Sequence, residues 1–124
     1  MRRNIFVLAV FLVSASVAPA LAQDAAKVDS KHYKVELENA QVRVLRVNYA
    51  PGEKSVMHSH PASVVVFLTD AKVKFTLPDG KTQDMTVKAG TTQWNAAAKH
   101  LPENVGDKPF EVIVVEMKGK PAAK

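Results

Sequence analysis

The chain of 124 residues is 47% hydrophobic and carries a formal net charge of +5, of which Arg2 and Arg3 supply two. The other basic residues are spread along the chain without a basic block or interleaved aromatic residues, so the sequence gives no support to nucleic-acid binding. The chain has no cysteine, which excludes disulfides, thiol catalysis and thiolate metal ligands.

Residues 1–22 have the pattern of a secretory signal peptide. A charged start is followed by an apolar run over residues 5–13 and by small residues that end at Ala22. This order is typical of a leader that is cleaved after Ala22, and the apolar run is too short for a comfortable transmembrane helix. We therefore expect a periplasmic or secreted protein without a membrane span in the mature chain. The arginine pair leaves the twin-arginine export route open, but it lacks the usual flanking residues, which favours ordinary unfolded export.

The mature chain of about 100 residues is long enough for one small domain. Residues 23–31 are polar and alanine-rich, and they predict a flexible leader. Residues 32–118 contain the predicted domain. Residues 119–124, rich in lysine, proline and alanine, predict a disordered tail.

The predicted domain consists of short strand-like runs with turns between them, and none of its segments has a convincing helical period. The runs cover residues 33–37, 41–49, 63–68, 71–77, 83–87, 91–95 and 111–117. The sequence Pro78-Asp79-Gly80-Lys81 predicts a hairpin turn, because proline presets φ and glycine accepts a positive φ. Short strands with regular turn signals predict an all-β sandwich or barrel.

Three of the four histidines form a candidate metal site. On a strand, His58 and His60 point to the same face, with Cα atoms about 7 Å apart. His100 lies in a second segment that follows a turn at Gly90. Converging neutral imidazoles are typical ligands of transition metals; the alternative is that the pair only caps an exposed strand end. His32, beside the leader, is expected to be exposed.

The same residues resemble the two motifs of the cupin family. Gly52, five residues and His58-Ser59-His60 resemble the first motif. The segment from Gly90 to Gly106 resembles the second motif, and it contains Trp94, His100 and Asn104. The resemblance spans residues 32–118 and implies a jelly-roll barrel, also called a double-stranded β-helix, that often forms homodimers. It also implies a divalent metal held by His58, His60 and His100.

The chain departs from the family pattern where the first motif has a glutamate ligand. That position falls at Val64 or Val65, and Val64 has the strand parity of His58 and His60. We therefore expect an apolar side chain where a carboxylate would bind, which disfavours proton-transfer chemistry of the isomerase or epimerase kind. In the second motif Ala96-Ala97-Ala98 replaces the usual proline and glycine, and His100 comes one residue early.

Three neutral ligands suit Fe, Mn, Ni, Cu or Zn, whereas Ca and Mg prefer oxygen ligands. Val64, Trp94, Gln93 and Met57 are the candidate residues of a ligand pocket beside the metal. For Trp94 and Met57 the alternative is ordinary core packing. Tyr49 could supply a phenol, although structural burial is the favoured interpretation.

These features support three kinds of function. The first is an exported metal-binding cupin that binds, and in a dioxygenase-like reaction oxidises, a small molecule. The second is metal-independent binding of a small apolar or sugar-like ligand without catalysis. The third is a structural role in a homodimer, because the runs 64–68 and 112–115 are apolar on both faces; this role is compatible with either of the others.

Overall fold

The computed structural model describes residues 23–119, so the predicted signal peptide and residues 120–124 of the predicted tail lie outside the described residues. The described chain has one helical turn and nine strands: α1 (Ala25–Val28), β1 (Tyr33–Glu38), β2 (Val42–Tyr49), β3 (His58–His60), β4 (Ser63–Phe67), β5 (Ala71–Thr76), β6 (Thr82–Val87), β7 (Thr92–Asn95), β8 (Ala98–Asn104) and β9 (Phe110–Met117). No helix in this range is long and apolar enough to cross a membrane.

The strands form two sheets whose neighbouring strands all pair antiparallel. One sheet has the order β1-β2-β9-β4-β7, and the other has the order β3-β8-β5-β6. Buried side chains from both sheets, among them Leu45, Val65 and Val112 from the first and Val73 and Val87 from the second, belong to one hydrophobic cluster. The predicted all-β fold class is confirmed.

Strand β9 sets the inner and outer faces of the five-stranded sheet, because it pairs with β2 on one side and β4 on the other. Its residues alternate strictly: Phe110, Val112, Val114 and Glu116 are buried, and the residues between them are partly exposed. Each valine buried at such a position stabilises the fold by about 1.5–3 kcal/mol relative to an exposed one. Glu116 is therefore a charged residue on the otherwise apolar inner face of β9.

Strand β8 is absent from the predicted runs, because its polar and apolar residues do not alternate and Pro102 interrupts it. In the structure β8 lies between β3 and β5, and the carbonyl of Pro102 accepts a hydrogen bond from Ser55 N at 2.9 Å. Asn104 ends this strand, and its Nδ2 donates to the carbonyls of Tyr49 and Lys108, so it holds the backbone of two loops.

The position of Val64 differs from the predicted strand parity. Strands β3 and β4 belong to different sheets and are separated by Pro61 and Ala62, so the alternation does not run through from His60. In β4 the buried residues are Ser63, Val65 and Phe67. Val64 therefore faces away from the histidines, and the inward side chains at this place are Ser63 and Val65.

Residues 23–31 also differ from the predicted flexible leader. Residues 25–28 form a helical turn in which Ala25 is fully buried. Asp24 caps this turn by accepting a hydrogen bond from Ala26 N, and it binds Arg43 Nη1 at 2.6 Å. The ion pair joins two residues that are 19 positions apart in the chain, so a short polar segment viewed alone gives no sign of it.

Candidate metal centre

The ladder between β3 and β8 brings the three predicted ligands together. His58 pairs directly with His100, and His60 projects from the same face of β3 as His58. The ring centroids lie 4.9 Å apart for His58 and His60, 5.0 Å for His58 and His100, and 5.3 Å for His60 and His100. One ring nitrogen from each histidine lies within 4.8 Å of the other two, a geometry that could hold a metal ion.

The surroundings of His58 define which nitrogen carries the proton. Its Nδ1 lies 2.9 Å from the carbonyl oxygen of Val56 and 3.2 Å from Ser55 Oγ. Because a carbonyl only accepts hydrogen bonds, Nδ1 is the protonated nitrogen and Nε2 keeps its lone pair. Ser55 Oγ in turn donates to Asp29 Oδ2 at 2.5 Å, which fixes the hydroxyl behind the ring.

His60 is held by a carboxylate from the opposite sheet. Its Nδ1 lies 2.7 Å from Glu116 Oε2, so this nitrogen donates and Nε2 is left for the centre. The other carboxylate oxygen, Oε1, accepts from Arg43 Nε at 2.7 Å, and Arg43 also binds Asp24. Burial alone would raise the pKa of Asp24, but its hydrogen bonds with Arg43 and the charge of that guanidinium outweigh this effect and lower the pKa.

His100 stacks against Phe75 with a centroid distance of 4.9 Å. Its Nε2 is buried and has no hydrogen-bond partner, and the same is true of His58 Nε2. An unsatisfied buried polar atom costs about 1–3 kcal/mol. Two such lone pairs at one centre fit a divalent cation, because coordination would satisfy both.

The electrostatics of the centre favour neutral imidazoles. Burial, followed by the nearby charge of His60, lowers the pKa of His58 to about 4. Burial, followed by the charges of His60 and His58, lowers the pKa of His100 to about 3. Both rings are therefore neutral near pH 7, the form in which imidazole binds a metal.

A cavity of about 820 Å³ lies against the centre, and His60 and His100 form part of its wall. Most of the wall is apolar, with side chains from both sheets: Val47, Val65, Phe67, Val73, Phe75, Leu77, Met85, Phe110, Val112 and Val114. The polar residues on the wall include Tyr33, Ser63, Gln93 and Asn95. The cavity therefore has a volume and lining typical of a small-molecule site.

The predicted pocket residues divide into two groups. Gln93 and Trp94 border the cavity, but Trp94 is 62% exposed and lies opposite Val64 on the outer face of the sheet, so its alternative role as a core residue is wrong. Val64 is not part of the wall, because β4 turns it outward. Met57 is not part of it either; it precedes β3 in a segment that lies outside both sheets.

Two tyrosines support the histidines from the first sheet. Tyr49 Oη donates to Tyr33 Oη at 2.9 Å, and the Tyr33 ring contacts the His58 ring edge-on with a centroid distance of 4.8 Å. Burial raises the pKa of both phenols, so both remain protonated at neutral pH. Both tyrosines are buried and both line the cavity, and the burial of Tyr49 agrees with the favoured interpretation.

His32 is buried, not exposed as expected. Its ring stacks on Tyr49 with a centroid distance of 4.2 Å, and its Nδ1 lies 2.8 Å from Asp29 Oδ2. Asp29 therefore connects His32 to Ser55 and, through Ser55, to His58. The sequence offers no local signal for this arrangement, because it depends on the docking of residues 23–32.

Sequence reasoning missed Glu116, although a signal for it exists. The run 111–117 alternates, and Glu116 has the parity of the inward residues Val112 and Val114. A charge at an inward position of an apolar strand is uncommon unless it is paired or functional. Arg43, its partner on β2, gives no such signal, because partly exposed arginines are common on strands.

The family model described as "Cupin domain" matches residues 45–116. A cupin domain from Bordetella pertussis has a TM-score of 0.65 and 24% identity, covering 70% of this chain and 92% of that chain. A conserved protein with a double-stranded β-helix domain from Klebsiella pneumoniae has a TM-score of 0.57 and 18% identity, covering 86% and 93%. The polyketide cyclase RemF from Streptomyces resistomycificus has a TM-score of 0.53 and 16% identity, covering 72% and 66%.

No curated protein matches the chain. The similar structures share less than a quarter of their residues with it, so they show the fold alone, a jelly roll or double-stranded β-helix. The family match spans more than half of the chain and includes the strands that carry His58, His60 and His100. The chain belongs to the cupin domain family.

Proposed function

We propose that this protein is an exported small cupin that binds one divalent transition metal through His58, His60 and His100. The observation that carries the proposal is the pair of buried, unpartnered Nε2 atoms on His58 and His100, at a point where a nitrogen of His60 also converges. A fold does not retain two adjacent unsatisfied polar atoms without cost, and a bound cation removes that cost.

The donor set favours a particular class of metal. Three neutral imidazoles suit Fe, Mn, Ni, Cu or Zn, and they disfavour Ca and Mg, which take oxygen ligands. Because the inward residues of β4 near the centre are Ser63 and Val65, no carboxylate from the first motif completes the ligand set. Coordination positions are thereby left for a small molecule.

The cavity supports binding of a mainly apolar small molecule with a polar group directed at the metal. Its apolar walls are formed by residues such as Val65, Phe75 and Val112, and its histidines lie on one part of the wall. When bound, the metal would supply Lewis-acid polarisation of a coordinated oxygen or, if it is iron, dioxygenase-like redox chemistry. The chain itself orients the ligand, limits the access of water and offers the protonated Tyr33 hydroxyl as a hydrogen-bond donor beside His58.

The second candidate is a metal-independent cupin that binds a small molecule without catalysis. The observation that favours it is the predominance of apolar side chains on the cavity wall. The likeness to the polyketide cyclase RemF rests on the fold alone, so the activity of that protein favours neither candidate.

We further propose a homodimer. The strand register places an apolar row across the outer face of the five-stranded sheet, and it runs through Trp94, Val64, Val115, Val44 and Leu37. Trp94 is 62% exposed and Leu37 is 51% exposed. A second copy would cover this row.

The predicted leader over residues 1–22 supports a periplasmic or secreted location for this protein. The chain has no cysteine, so the proposed dimer would be held without a disulfide.

Elemental analysis of protein isolated from its exported compartment tests the metal proposal. We expect about one transition metal per chain in the parent and none in the His58→Ala/His60→Ala variant. The matched control is Thr82→Ala/Thr86→Ala, because both threonines are exposed on β6. A folded parent that neither contains metal nor takes up added Fe, Mn, Ni, Cu or Zn contradicts the proposal and favours the metal-independent candidate.

A further inference from the structure

We propose that Glu116 is a positioning residue of the metal centre and acts through His60. Its carboxylate places a negative charge next to the His60 ring, in a centre where the first motif provides no carboxylate ligand. This inference rests on the proposed metal-binding function. It assigns to β9, a strand without a metal ligand, a direct influence on how tightly the metal is bound.

The contact between Glu116 and His60 is specific in direction. Glu116 Oε2 lies 2.7 Å from His60 Nδ1, and an ionised carboxylate only accepts hydrogen bonds. The imidazole must therefore donate from Nδ1 and present the lone pair of Nε2. Such a contact fixes the tautomer and ring orientation of a metal ligand and makes it more basic.

The side chain of Glu116 is fixed by its position in the sheet and by its contacts. It lies on the central strand of the five-stranded sheet, with Arg43 opposite it on β2 and Ser63 opposite it on β4. Its side chain is 2% exposed. Arg43 approaches Oε1 through Nε at 2.7 Å and Nη2 at 2.6 Å, which leaves Oε2 for His60. The carboxylate is thus divided between one cation and one imidazole.

The charge of this network is negative. Arg43 binds Asp24 through Nη1 at 2.6 Å and through Nη2 at 2.9 Å, so one guanidinium neutralises only one of two carboxylates. Glu116, Arg43 and Asp24 together carry one net negative charge on the side of the His60 ring away from the centre. Three neutral imidazoles leave a divalent ion fully charged, and a buried negative charge one ring away lowers its energy.

His60 is the ligand for which this mechanism operates directly. His58 Nδ1 donates to a neutral carbonyl and reaches Asp29 only through Ser55. His100 contacts the Phe75 ring and has an unpartnered Nε2. Removal of the Glu116 charge should therefore weaken metal binding by altering His60 alone, which a spectroscopic probe of the ligand field can detect.

Glu116→Gln tests the proposal, because the amide keeps the size of the side chain and an acceptor oxygen but removes the charge. The matched control is Glu111→Gln, the same change on the same strand at an outward position, where Glu111 pairs with Arg46. The probe is Cu(II) or Co(II) added to the full-length mature protein. The measurements are the dissociation constant by competition with a chelator, the Cu(II) electron paramagnetic resonance spectrum, and urea unfolding of the metal-free form.

We expect Glu116→Gln to weaken metal binding by about 10–100-fold and to shift the spectrum, while Glu111→Gln matches the parent in both. A folded Glu116→Gln protein with parental affinity and spectrum overturns the inference. If the parent itself binds no metal, the proposed function fails, and the two failures are thus distinguished.

A second variant covers the case in which Glu116→Gln does not fold because Arg43 loses its partner. Asp24→Asn/Arg43→Gln/Glu116→Gln removes the three charges of the network together, which proteins tolerate better than the loss of one partner. The same loss of affinity in this triple variant supports the inference, and parental affinity overturns it.

Discussion

His58 lies directly opposite His100 in the ladder between β3 and β8, and their rings meet at right angles with a centroid distance of 5.0 Å. This cross-strand pairing joins two histidines that are 42 positions apart in the chain. Because each ring has a buried Nε2 without a hydrogen-bond partner, the pair lowers the stability of the metal-free fold and offers two nitrogen ligands to a metal.

That cost leads to a prediction for His100→Leu. The leucine has a similar volume, packs on Phe75 and removes a buried unsatisfied nitrogen. We expect the metal-free variant to be as stable as the parent or more stable by about 1 kcal/mol, and to bind metal more than about tenfold more weakly. Urea unfolding with a chelator present and a metal titration measure the two effects. A variant that is destabilised and still binds metal normally would show that His100 has only a packing role.

The metal-free protein should lose stability in mild acid. In the folded state the pKa of His58 is about 4 and that of His100 is about 3, both below the ordinary value of 6.5. Below pH 6.5 the unfolded chain takes up protons that the folded chain excludes, so the free energy of unfolding falls by up to about 1.4 kcal/mol per pH unit for each ring. Above pH 6.5 both rings are neutral in the folded and the unfolded chain, so the free energy of unfolding is not reduced by this effect. Urea unfolding between pH 7.5 and pH 4.5 should show the decrease, and His100→Leu should remove about half of it.

Ser55→Ala should affect both stability and metal binding. The hydroxyl joins Asp29 Oδ2, at 2.5 Å, to His58 Nδ1, at 3.2 Å, and Ser55 is buried. Its removal leaves Asp29 without one charge-assisted hydrogen bond, so we expect a loss of about 1.5–3 kcal/mol in the free energy of unfolding. Metal binding should weaken less than in Glu116→Gln, because His58 keeps its bond to Val56. Ser30→Ala, at an exposed position, is the control.

Val64→Lys should convert the proposed homodimer to a monomer. Val64 lies in the outer apolar row between Trp94 and Val115, and a lysine there would be buried without a partner by a second copy. Light scattering over a range of concentrations measures the mass of the parent and the variant. Val56→Lys, which places the same charge at a half-exposed position outside both sheets, should remain a dimer. A monomeric parent would contradict the prediction.

Much of the fold could be predicted because a strand with one buried face shows a regular alternation of apolar and polar residues. The runs 41–49 and 111–117 correspond to β2 and β9, and the hairpin at Gly80, with φ of 85°, joins β5 to β6 as expected. Strand β8 escaped because its pairing with β3 and β5, not its own alternation, makes it a strand. The parity of Val64 failed because the chain changes sheets after His60.

The sequence by itself determined the all-β class, the two histidine segments and the type of donor, because these depend on residue identity and local periodicity. Only the tertiary structure decided what lies behind each ligand: Glu116 and Arg43 behind His60, and Ser55 with Asp29 behind His58. These contacts join distant strands and a docked N-terminal turn. Such pairings arise from packing one sheet on another, and no local pattern in a chain encodes which side chains that packing will bring together.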